Sequence, residues 1–115
     1  MALEPAVQEQ IVARLIAWGD VEPRRMFGGD AFLVKGRMFA FFDREGVAFK
    51  VPSPQREDLL KDSRVSPLMH RWSGRAFGEW LHLRLTDARD VALALRAVEA
   101  SYHHAQATPK ELRKR

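Results

Sequence analysis

Apolar residues return every three or four positions near the start of the chain: Val7, Ile11, Leu15 and Trp18, with Gln8, Glu9 and Arg14 off that line. The period predicts an amphipathic helix from about Pro5 to Trp18. Pro5 suits its first turn and Gly19 its stop. The rhythm then shortens. Arg24 to Phe27, Ala31 to Lys35, Arg37 to Phe42 and Val47 to Val51 are short runs, ended by Gly28-Gly29, by Gly36, by the turn Asp43-Arg44-Glu45-Gly46 and by Pro52. Such spacing predicts an antiparallel meander of three or four strands, the first of them marginal. Within the third run, Met38, Ala40 and Phe42 fall on one face and Phe39 and Phe41 on the other. Both faces are apolar there, so either the chain itself or a partner is expected to cover the second one.

Ser53-Pro54 predicts a second helix, with Ser53 as cap and Pro54 at the first helical position, anchored by Leu59 and Leu60 and ending near Ser63. Met69 to Trp72 and Glu79 to Leu85 read as two further strands about a turn at Ser73-Gly74. The second alternates cleanly, with Leu81, Leu83 and Leu85 on one side and Trp80, His82 and Arg84 on the other. Thr86 or Asp87 caps a last helix whose stripe is Val91, Ala94, Leu95, Val98 and Tyr102. The predicted fold class is α+β: an antiparallel sheet layered with helices in the order α-β(3 or 4)-α-β(2)-α.

Composition supports a folded domain. Of 115 residues, 46% are hydrophobic and seven are Phe, a balance that disordered chains lack. One domain is expected over residues 1–108, with a basic polar tail at 109–115. The formal charge of +4 belongs mostly to that tail, where four basic residues face one acid. Residues 1–108 carry 15 basic and 14 acidic groups, a net +1, so the high pI says little about a polyanionic partner. Cysteine is absent, which excludes disulfides and thiolate chemistry and fits a cytoplasmic protein. No basic start leads into an apolar run, and no stretch approaches the ~20 apolar residues that span a bilayer, so neither a leader nor a membrane partner is expected.

Candidate chemistry is sparse. Arg24 and Arg25 beside Gly28-Gly29 read either as an anion site, with backbone N–H groups and guanidinium forks on a phosphate, or as a glycine turn whose arginines pair with Glu22 or Asp30. From Arg64 to Thr86, Arg64, Arg71, Arg75 and Arg84 face one acid, Glu79, with Trp72, Phe77 and Trp80 interleaved. That pattern suits either a sheet face on a nucleic-acid backbone or a sheet edge whose arginines are merely solvated. His103 and His104 diverge by roughly 100° on a helix, unlike the i, i+4 pair that chelates zinc, so no metal site is expected. No serine sits in a G-x-S-x-G elbow, and no carboxylate pair stands out, so neither an enzyme nor a cofactor is expected.

The runs Arg24-Arg25-Met26-Phe27-Gly28-Gly29 and Gly36-Arg37-Met38-Phe39-Ala40 resemble the N-terminal domain of the competence regulator family TfoX (Sxy). The stretch Gly36 to Pro52, then Arg56-Glu57-Asp58-Leu59-Leu60, Trp80-Leu81-His82-Leu83 and Ala100-Ser101-Tyr102, is similar to YjbR/MmcQ proteins. Together the likeness covers about residues 6–104. It implies a two-layer α/β sandwich of the secretion-chaperone type and no catalytic residues. The chain stops soon after the matching part, so roles that need the C-terminal domain of full-length TfoX are not carried over. The resemblance favours a regulatory module that binds a protein partner or a second copy of itself. Candidate interface residues are Phe39, Phe41, Trp72 and Trp80. DNA is the alternative partner, through Arg24, Arg25, Arg71, Arg75 and Arg84.

Overall fold

A computed structural model describes residues 5–26, 29–69 and 74–107 of the chain. Helix α1 (Pro5–Ala17) leads into four strands, β1 (Val21–Met26), β2 (Gly29–Val34), β3 (Arg37–Phe42) and β4 (Gly46–Lys50). Then come α2 (Gln55–Leu60), β5 (Val65–Met69), β6 (Ala76–Arg84), a 3-10 turn at Ala88–Asp90 and α3 (Val91–Ala107). The six strands form one sheet in the order β1-β2-β3-β4-β6-β5, and every neighbouring pair is antiparallel. The fold is thus α+β, with four strands before α2.

One hydrophobic cluster holds the two layers together. Val7, Ile11 and Leu15 of α1 and Leu93, Ala94, Ala97, Val98 and Tyr102 of α3 meet Phe32, Phe39, Phe42, Phe49, Leu81 and Leu83 of the sheet. Leu59 and Leu60 of α2 pack against the same cluster. All three helices therefore serve one sheet face. Among the described residues, no helix is long and apolar enough to cross a membrane.

The turns are set by backbone chemistry. Val34 pairs with Arg37 across a two-residue loop, and both loop residues, Lys35 and Gly36, have positive φ (53° and 79°). This matches the right-handed twist of a tight hairpin. In the next turn, the Asp43 carboxylate accepts from the N–H groups of Glu45 (2.8 Å) and Gly46 (2.9 Å). Gly46 must be small, since a Cβ there would lie 1.9 Å from the Leu83 carbonyl oxygen of the neighbouring strand.

Several boundaries differ from those expected. Strand β1 begins at Val21 rather than Arg24, and β5 spans Val65–Met69 rather than Met69–Trp72. Pro67 disguises β5, but it lies on an edge strand, where a missing N–H breaks no ladder bond. Pro54, not Ser53, occupies the cap position of α2, without a side-chain cap bond, and Ser53 instead donates to Glu57 at 2.8 Å. Asp87 caps the 3-10 turn ahead of α3 in a reciprocal capping box with Asp90.

The expected face for Phe39 is also corrected. Ala40 opposes Phe32 but Met38 opposes Leu33, so β3 carries one extra residue, a bulge at Phe39. The bulge turns Phe39 towards the helices. It is fully buried, with its ring 5.4 Å from Tyr102 and 6.4 Å from Trp18. Phe41 stays on the opposite face.

Candidate functional site

The sheet face away from the helices follows from the strand register. Ala31, Phe41, Ala48, His82 and Ser66 form one cross-strand row, and Lys50 pairs with Trp80 in the next. Ala31, Leu33 and Ala48 are buried yet stand outside the main core cluster, as residues of this second face should. The rings of Phe41 and Trp80 lie 5.6 Å apart, and both are half-buried. Beside them His82, only 14% exposed, meets the Asp43 carboxylate at 3.0 Å. Burial works against ionising Asp43. The bonds from His82, Glu45 and Gly46 outweigh it and hold the carboxyl below its ordinary range.

The structure scatters the arginines singled out from the sequence. Arg24 pairs with Glu22 at 2.9 Å and Arg25 with Asp30 at 3.2 Å. As successive strand residues they project to opposite faces, so they do not form one fork. Arg84 is exposed at the end of β6, two residues from His82 on the same face. Arg75 is exposed just before β6. Arg71, Trp72 and Gly28 lie outside the described residues. Phe39 is removed from any surface by the bulge. Among the described residues, no group of three His, Cys, Asp or Glu side chains is placed to hold a metal ion.

Two arrangements were not foreseen. The first is a buried acid. Asp90, its side chain 6% exposed, receives Arg64 on one oxygen at 2.6 Å and the Thr86 N–H on the other at 2.7 Å. Burial would raise its pKa, but the Thr86, Arg64 and Asp87 donors bring it down to about 2. Arg64 also forks onto Asp62, whose pKa its hydrogen bonds likewise hold at about 2. This network ties the α2–β5 connection to the start of α3. The Asp87-x-x-Asp90 spacing was its only sequence signal.

The second is a cleft of about 210 Å³ where the last turns of α3 meet the start of β3, the end of β4 and Trp80 in the middle of β6. Arg37, Lys50, Trp80, Ser101 and His104 line it. Ser101 is itself occupied: its hydroxyl donates to the Phe39 carbonyl (2.7 Å) and accepts the Lys50 N–H (2.9 Å), spanning β3 and β4 at the bulge. One guanidinium nitrogen of Arg37, Nη2, is buried without an acceptor. A buried donor left unpaired costs about 1–3 kcal/mol, so the Arg37 side chain keeps unmet hydrogen-bonding capacity.

Comparison with known proteins fits this architecture to one family. Neither the curated proteins nor the solved structures give a match. The family model described as the TfoX N-terminal domain matches residues 13–105, from the middle of α1 to the last turn of α3. With the whole sheet, α2, nearly all of α3 and most of the chain inside that match, the protein belongs to the TfoX N-terminal domain family.

Proposed function

We propose that this domain is a non-catalytic regulatory module of the cytoplasm that binds a protein partner through the helix-free face of its sheet. One observation carries the reading: the Phe41–Trp80 pair sits on a face that no described helix covers, bordered by the Asp43–His82 pair and Arg84. Aromatic side chains ringed by polar groups are the usual make-up of a protein interface, and Trp is prominent among residues that dominate binding energy. Family membership and the cysteine-free sequence agree with such a role.

A second copy of the chain is the simplest partner. Sedimentation equilibrium from 1 to 100 µM is expected to show a monomer–dimer equilibrium. Trp80→Ala should weaken it at least tenfold without changing the circular dichroism spectrum. A strict monomer throughout, or a dimer indifferent to Trp80→Ala and Phe41→Ala alike, overturns the reading.

Arg84 on the same face supports DNA binding as a second reading. It is weakened by the neutralisation of Arg24, Arg25 and Arg64 in ion pairs. It predicts affinity that falls steeply with salt. No binding at about 50 mM salt removes it, and binding lost on deleting residues 109–115 would assign it to the tail.

A further inference from the structure

We infer that the cleft between the last turns of α3, the start of β3, the end of β4 and Trp80 of β6 is a binding site for a phosphate-sized oxyanion. Three observations meet there. The first is charge. Arg37 and Lys50 line the cleft, neither is engaged in an ion pair with a described residue, and no acid is among its described lining residues. The C-terminal end of α3 places roughly half a negative charge nearby, which two full positive charges outweigh. The second is an unmet donor. Arg37 Nη2 is buried with no partner among the described residues, and the same side chain lines the cleft, so a small turn of its guanidinium onto a bound phosphoryl group would give it the acceptors it lacks. The third is size. The cleft, about 210 Å³, holds several water volumes but is smaller than the usual pocket for a drug-sized ligand, so it suits a phosphoryl group rather than a whole nucleotide.

Two sources offer that group: free inorganic phosphate, and a small organic phosphomonoester whose carbon end would lie against Trp80. Titration calorimetry with inorganic phosphate and with phenyl phosphate, each in 100 mM chloride, separates them. Saturable one-to-one binding of either probe is expected, weakened at least tenfold by Arg37→Met and by Lys50→Gln. Tighter binding of phenyl phosphate, itself lost in Trp80→Ala, identifies the organic source, and equal affinities identify phosphate. Should Arg37→Met fail to fold, Lys50→Gln decides alone, since the Lys50 side chain makes no hydrogen bond or ion pair with a described residue, and only its backbone N–H is bonded to Ser101. No saturation by 10 mM of either probe overturns the inference, as does an affinity unchanged in Lys50→Gln.

Discussion

The Ser101 hydroxyl donates to the carbonyl of Phe39, 62 residues away in sequence, across 2.7 Å. It also accepts the Lys50 N–H, so one side chain of α3 links the bulged residue of β3 to the last residue of β4. Ser101 is 1% exposed, and no water can stand in easily. Ser101→Ala leaves a buried carbonyl and a part-buried N–H unpaired. A loss of roughly 2–4 kcal/mol is expected in urea unfolding, with the slope of the transition unchanged.

Asp90 makes stability depend on acid. Its folded pKa of about 2 lies below the ordinary value of 3.8, so the ionised form is favoured by folding. The resulting stability, about 2 kcal/mol, is complete above pH ~4 and is lost as the pH falls through 2. Asp90→Asn should remove that part of the acid sensitivity and lower stability at pH 7, because Arg64 loses its buried charge partner. Melting temperatures of both proteins between pH 2 and 7 give the check.

Gly46 tests the close approach of β4 and β6. A methyl group there would meet the Leu83 carbonyl oxygen at 1.9 Å, and that atom is backbone that cannot step aside alone. Gly46→Ala is expected to cost roughly 2–3 kcal/mol or more, a strand having to shift. Gly19→Ala is a useful contrast. It has open space around it, and only its positive φ of 95° opposes a side chain.

Lys35 sits at a φ of 53° in the β2–β3 hairpin, where Asn is better suited. Among the described residues its side chain makes one polar contact, a long 3.5 Å bond to the Gln106 carbonyl. Lys35→Asn is expected to raise stability by about 0.5–1 kcal/mol, seen as a higher midpoint in urea.

Much of this fold is legible in the chain. Helices α1 and α3 announce themselves by period, since each buries a single stripe. Strand β6 does so by strict alternation from Trp80 to Leu85. The bulge is hidden because one extra residue leaves no trace in composition, and it reverses the expected direction of Phe39. Strand β5 is hidden because Ser66 and Pro67 look like a loop, and only pairing with β6 makes them a strand. Of the candidate site, Phe41 and Trp80 are visible as apolar residues on a sheet. The meeting of Arg37 with Lys50 is not, since it depends on how the end of α3 lies over three strands.

Because β6 lies between β4 and β5, the six strands become one sheet only after the last of them in chain order has been made. A nascent chain that has emerged only as far as Met69 has a meander with one bare flank at β4 and a fifth strand with nothing to join. Exposed strand flanks invite pairing with other chains. The hazard ends when Leu81 and Leu83 dock beside Phe49 and Val47. Slow translation through residues 76–84 should therefore favour aggregation more than slow translation after α3 has closed over the core.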